Sequence, residues 1–382
     1  GADTLTAGDV TTALIAGDLA EIRVDAATGN LLFMQSNDVA ATPIGADSVT
    51  IGNGTLRAIL GTGDDTLVSG DGVAAVLGDS GEITANAATH QIIGMSDRIT
   101  DPSISRAGAD SWTAGLGRHS AILGGAGDTA TLDTGETALL ADHGTITWNA
   151  QGQLTNLFAD ANTEFGNDTI TLAGGTNAAV ILGAGSDTFT GGNVGIGLIA
   201  GDLATIDVDG ATGNLLGMQS NDVATTPLGA DGVIIGNGTL RAILGTGDDT
   251  LTSGSGDGVF MGDGGRITVD GTTHEITGLI GPITDSAIDR AGNDQWTAGN
   301  GRHMGIAGAG DDTINLGAGD AALLTDHGVI SLTPLGYLSS VIALDNTRAG
   351  NDSVTMGNGR SIMMGGNGDD IIQTADGRDI LF

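Results

Sequence analysis

Apolar residues recur at one fixed place in short alternating segments set between glycine-rich turns. Two residues after an aspartate that closes such a turn stand Val49, Leu67, Trp112, Ile170, Phe189, Val233, Leu251, Trp296, Ile314, Val354 and Ile372. Alternation over so few positions marks a strand with one face inward, so each of these side chains is expected to point into a core. The aspartates keep a beat of their own: Asp47/Asp65, Asp110/Asp128, Asp231/Asp249, Asp294/Asp312 and Asp352/Asp370 are 18 residues apart, and Asp168/Asp187 are 19 apart. Two nine-residue half-turns of a flat β-solenoid generate such a beat, because each circuit returns the same turn to the same edge.

The unit that begins near residue 229 shows the plan. Gly229-Ala230-Asp231, Gly236-Asn237-Gly238, Gly245-Thr246-Gly247-Asp248-Asp249 and Gly254-Ser255-Gly256 open four half-turns, which make two coils. Two alternating runs around Gly271-Thr272-Thr273 then read as a β-hairpin, and similar hairpins recur around Gly210 to Gly213 and Pro334 to Gly336. Residues 14–81 and 198–265 are nearly the same text, and the pairs His90/His274, His119/His303 and His143/His327 share that offset of 184. The expected fold is all-β: one continuous parallel β-solenoid, a β-roll, with a β-hairpin or flap inserted about every 61 residues. Its expected units are a partial unit 1–50, units 51–112, 113–170, 171–234, 235–296 and 297–354, and a partial unit 355–382. Both termini fall inside a repeat without a cap, which predicts an excerpt of a longer array or a subunit that stacks end to end.

Composition narrows the function. With 68 glycines and 3% aromatics, ordinary globular cores are not expected. A formal charge of −35 opposes compaction, and it becomes tolerable when divalent cations sit among the carboxylates. All 12 basic residues are arginine and no segment clusters them into a patch that could neutralise phosphates, so nucleic acid is not an expected partner. There is no cysteine, hence no disulfide framework, and no run of 18 apolar residues that would span a membrane.

Gly365-Gly366-Asn367-Gly368-Asp369-Asp370-Ile371-Ile372-Gln373 matches the GGxGxDxUx nonapeptide of the RTX (haemolysin-type calcium-binding) family, with near-matches at 60–68, 244–252 and 307–315. The solenoid part of each unit, about half to two-thirds of the chain, resembles that family. The chain also resembles long repetitive surface proteins with a GDxG segment, here Gly78-Asp79-Ser80-Gly81, Asp142-His143-Gly144 and Asp326-His327-Gly328. The resemblance implies an RTX-type β-roll in which turn carbonyls and the sixth-position aspartate bind Ca²⁺. The implied ligands are Asp47, Asp65, Asp110, Asp128, Asp168, Asp187, Asp231, Asp249, Asp294, Asp312, Asp352 and Asp370, with Asp3 as an orphan half-site. Calcium takes 6–8 oxygens, and glycine lets carbonyls turn inward, so the chemistry agrees.

The chain departs from the pattern at the intervening half-turns, where Leu56, Ala74, His119, Thr137, Leu240, Gly258, His303, Ala321 and Ser361 stand and Asp379 alone is acidic. A one-edged ladder follows, the other edge held by Gly-Asn-Gly turns. Asp18, Asp79, Asp142, Asp202, Asp263 and Asp326 fall 14 or 15 residues after a ladder aspartate and are placed to close the end site of each two-coil block; solvated turn residues are the alternative. Asp38, Asp101, Asp222 and Asp285, nine residues before a ladder aspartate, are weaker candidates.

No catalytic constellation emerges. The serine of Gly78-Asp79-Ser80-Gly81 is replaced in the internal counterparts Gly262-Asp263-Gly264-Gly265 and Ala141-Asp142-His143-Gly144, and no triad follows, so the chain does not read as an enzyme. The six histidines read as exposed polar positions beside turns. Threonine is common, but no regular Thr-x-Thr ladder forms a flat stripe, which argues against an ice-binding face. The expected function is structural: a calcium-stabilised extracellular or cell-surface stalk, filament, surface-layer or adhesin-like component that associates with itself end to end or laterally. The alternatives are the accessory calcium-binding region of a secreted enzyme or toxin, and a module that binds surface glycans.

Overall fold

Strands of four to seven residues, separated by glycine turns, wind into thirteen coils in the computed structural model, which describes residues 1–37, 45–97, 107–161, 164–221, 229–281, 292–344 and 350–382. Each coil contributes one strand to an outer parallel sheet, from Thr4–Ala7 to Ile371–Thr374, and one to a central parallel sheet, from Thr12–Ala16 to Gly377–Leu381. All described elements are strands and turns, and among the described residues no helix is long and apolar enough to cross a membrane. Thirteen strands at ~4.8 Å give a rod ~60 Å long. Asp38, Asp101, Asp222 and Asp285 lie outside the described residues.

The hairpins form a third layer. Six of them, from Ala20–Val24 with Leu31–Ser36 to Gly328–Leu332 with Leu338–Ala343, pair with one another into a twelve-stranded antiparallel sheet. The spacing explains why one hairpin follows every second coil: two coils advance the rod by two strand widths, and one hairpin fills the same two widths. Short coils of 18 or 19 residues therefore alternate with long coils of 40–45 that carry the hairpin.

Two cores result. In the outer sheet alternate residues are exposed, as in Thr66–Ser69, where Leu67 points inward. All eleven inward positions expected from the sequence face the core, with Ile372 only partly buried. The central sheet is buried on both faces: in Gly72–Leu77, Ala74 and Val76 join the core under the outer sheet, while Ala75 and Leu77 join a second core under the hairpins. Such strands read as near-continuous apolar runs because neither face meets water.

Two sequence readings are corrected here. Four of the six histidines, His119, His143, His303 and His327, are buried. His119 packs its ring edge-on to Trp112 at 5.7 Å, and His303 stacks on Phe260, because both lie on the inward phase of a central strand. His90 and His274 are half-buried at hairpin tips, where they reach Asp25 and Asp209 of the preceding hairpin at 3.4 and 2.9 Å.

The second correction concerns threonine. Residue-by-residue register in the outer sheet aligns its outward side chains into two columns, Thr4, Ser48, Thr66, Ser111, Thr129, Thr169, Thr188, Gly232, Thr250, Gln295, Thr313, Ser353 and Ile371 in one. The other holds Thr6, Thr50, Val68, Thr113, Thr131, Thr171, Thr190, Ile234, Thr252, Thr297, Asn315, Thr355 and Gln373. Threonine fills both positions on five strands, at Thr4/Thr6, Thr129/Thr131, Thr169/Thr171, Thr188/Thr190 and Thr250/Thr252, and three of these strands are neighbours, an alignment hidden in the sequence because every second step crosses a long coil.

Candidate metal centre

Each strand of the outer sheet is entered through a turn whose aspartate sits immediately before the strand, so all thirteen ladder aspartates lie on one edge of the rod. The turn demands glycine two residues earlier. A Cβ at Gly108 would lie 1.9 Å from the Gly63 carbonyl oxygen, one at Gly229 1.7 Å from that of Gly185, and one at Gly310 2.0 Å from that of Gly292. A column of carbonyl oxygens thus points along the rod into the gap between coils.

Ala126 is the exception, held at φ 73° in a region where an L side chain costs energy. Ala126→Gly is expected to raise stability by about 1 kcal/mol, seen as a higher thermal midpoint, because glycine adopts that conformation without the Cβ penalty.

The carboxylates form a continuous ladder. The backbone N–H of each aspartate donates to Oδ1 of the next, in the order Asp3, Asp47, Asp65, Asp110, Asp128, Asp168, Asp187, Asp231, Asp249, Asp294, Asp312, Asp352 and Asp370, at 2.6–3.0 Å. Oδ1 is therefore satisfied from Asp47 to Asp370. Oδ2 of the eleven members from Asp47 to Asp352 is buried without a hydrogen-bond partner. Asp3 is exposed and Asp370 half-buried at the two ends.

The second aspartate set is brought to the same edge. Asp18, Asp79, Asp142, Asp202, Asp263 and Asp326 stand where the chain leaves the central sheet for a hairpin. Their Oδ2 accepts the backbone N–H of Thr62, Gly125, Ala184, Thr246, Ala309 and Asn367, the second residue of the glycine turn on the following coil, at 2.6–2.9 Å. They are turn caps held inside the rod, and Asp79, Asp142, Asp202, Asp263 and Asp326 are buried. Four follow a glycine that leaves room for a ladder carboxylate: a Cβ at Gly78 would lie 2.3 Å from Asp110 Oδ2 and 2.1 Å from the Leu123 carbonyl. Gly17, Gly201 and Gly262 stand in the same relation to Asp47, Asp231 and Asp294.

Burial and mutual repulsion push Asp79, Asp142 and Asp326 upward together with the ladder acids packed against them. Burial, then the charges of Asp110 and Asp128, holds Asp79 well above the usual carboxylate range. Burial, then Asp168 and Asp187, does the same to Asp142. Along the ladder, burial raises Asp65 to about 7, Asp110 to about 9 and Asp128 to about 10. After burial, the charge of Asp202 helps raise Asp231, and that of Asp263 helps raise Asp294 and Asp312.

A buried carboxylate oxygen with no donor is costly unless it meets a proton or a cation. The donors here are hard oxygens, which suit calcium. Yet no three acidic or imidazole side chains among the described residues converge as a metal cage. The fit to Ca²⁺ therefore depends on turn carbonyls supplying most of the 6–8 oxygens, with the orphaned Oδ2 atoms supplying the charge.

The opposite edge is built differently. There Asp9, Asn53 and Asp71 accept the N–H of Asn53, Asp71 and Leu116 in turn, and Asn193, Asn237, Ser255 and Asn300 continue the pattern. These residues are exposed, so water screens them. No family model, curated protein or solved structure matches the chain.

Proposed function

We propose that this chain is a calcium-stabilised structural rod, an extracellular stalk, filament or surface-layer component with an adhesin-like role, assembled by association of the rods with one another. The observation that carries this reading is the single ladder of buried carboxylates, eleven of them with an oxygen lacking any donor, on one edge of a continuous solenoid. The RTX-like nonapeptide at 365–373 supports the same ion. Calcium would be held by the ladder aspartates with turn carbonyls, and the aspartates at the hairpin departures would set the turns against them. Its role is to neutralise buried charge and so favour the folded rod, since binding to the folded state alone is stabilising. Extracellular modules of this kind operate at calcium concentrations of roughly 10⁻⁴–10⁻³ M, which fits a chain that folds outside the cell.

The test is a calcium titration of EGTA-treated protein at neutral pH, followed by circular dichroism and by equilibrium dialysis of the ion. β-structure and the thermal midpoint should rise together with bound calcium. A midpoint indifferent to calcium, with no ion retained, would overturn the reading.

A further inference from the structure

The outward face of the outer sheet is unlike the rest of the molecule. On a chain with 47 acidic and 12 basic residues, the two outward columns contain no charged side chain at any of the thirteen strands. Soluble proteins ordinarily mix charges over their surfaces. Yet here carboxylates crowd one edge and leave the adjoining face neutral.

The neutral face is also a lattice. Three neighbouring strands, Thr129–Leu132, Thr169–Leu172 and Thr188–Gly191, present Thr129, Thr131, Thr169, Thr171, Thr188 and Thr190 in register. Five of these are exposed and Thr171 is half-exposed; none has a side-chain hydrogen bond within the chain. Rows repeat at ~4.8 Å between strands and ~6.7 Å along them, with a hydroxyl and a methyl at each point. Four-residue strands paired without a bulge keep the columns straight, and ladders of like side chains favour flat over twisted sheets.

We propose that this threonine face binds ice. A charged ligand finds no counter-charge there. A crystalline neutral polysaccharide would be recognised by aromatic platforms, and no outward position in either column is aromatic. What remains complementary is a neutral solid whose surface oxygens repeat in two directions at spacings close to those of the hydroxyls. The methyls hold the intervening water in ordered arrangements, and the free hydroxyls join that water to the lattice.

The test uses the full chain, shown to be folded by circular dichroism, in measurements of thermal hysteresis, ice-crystal shaping and partition into a growing ice hemisphere. The wild type should shape crystals, show hysteresis and enter the ice. Thr131→Tyr with Thr171→Tyr should lose most of the hysteresis at unchanged dichroism and unchanged calcium binding, since both side chains point away from the core. Thr190→Lys, which adds a charge and a long side chain directed to solvent, should lose it as well. Leu335→Ser at an exposed hairpin tip should leave it intact. A folded wild type excluded from ice, variants that match the wild type, adsorption to crystalline cellulose or chitin without ice affinity, or a face-to-face dimer without hysteresis would each overturn the assignment.

Discussion

Replacing Asp128 with asparagine should raise the melting temperature of the chain held in EGTA and lower it in calcium. The two signs come from the two functions of one side chain. Asparagine keeps the Oδ1 acceptor that takes the Asp110 N–H at 2.7 Å, so the ladder survives. Burial, with help from Asp168 and Asp110, lifts the Asp128 carboxyl to about 10, so without metal it folds as the neutral acid at neutral pH. The unfolded chain ionises it freely, and that difference opposes folding. The amide has no proton to take up. In calcium the balance inverts, because the substitution removes a full negative charge from the ion's surroundings, and ligand charge sets affinity. A loss of about tenfold in affinity corresponds to about 1.4 kcal/mol. Thermal melts of both proteins, with EGTA and with calcium, give four midpoints. Equal shifts of one sign in both conditions would dismiss the metal role of Asp128.

In the absence of metal the rod should be most stable in mild acid and weaken as pH rises. Burial raises Asp187 and Asp352 to about 6, Asp65 to about 7, Asp168 to about 8, Asp110 and Asp249 to about 9 and Asp312 to about 10. A group whose folded value lies above its unfolded value binds more protons when folded. Its stabilisation is complete below the ordinary carboxylate value near 3.8 and is lost as pH climbs through the folded values, here from about 6 to about 10. Acids shifted the other way, such as Asp257 and Asp320 beside Arg302 and Arg360, weaken the chain only as pH falls below the carboxylate range. Calcium competes with these protons, so the calcium-induced gain in midpoint should grow between pH 5 and pH 9, with protons released on binding. Melts at three pH values with and without the ion check it. A chelated chain that gains stability from pH 5 to pH 9 contradicts the buried, protonated ladder.

The outer sheet and its acidic edge were legible because they are local. Short coils place Asp110 and Asp128, or Trp112 and Ala130, a fixed 18 residues apart. The hairpins could be recognised singly from their turns, but their pairing across units, such as Met34 with Ile83, joins residues far apart in the sequence. Double-sided burial of Gly72–Leu77 was similarly hidden until a third layer existed to cover it. The threonine columns escaped because neighbours such as Thr131 and Thr171 belong to successive coils of unequal length. Asp79 and its counterparts stood out by position, while their partners could not be named. A cap that reaches Gly125 on the next coil depends on register between coils, which spacing within one coil does not set. His119 and His303 were misread because a polar residue beside a glycine turn resembles a surface position. The signal against it was that Trp112 and Trp296 recur at the same offset.

The alternation of short and long coils also bears on folding fidelity. In a rod made only of short coils, a strand could pair one coil too early and still find a matching aspartate, glycine and apolar residue, since every rung is alike. Such slipped pairings are near-degenerate traps. Here a slip by one coil sets a hairpin-bearing coil where a bare one belongs, leaving one place in the antiparallel sheet doubly filled and its neighbour empty. Only a slip by two coils restores the match, and it forfeits a whole unit of about 61 residues. The hairpins thus act as the teeth of a ratchet, halving the number of permitted registers and making each wrong one cost an entire repeat.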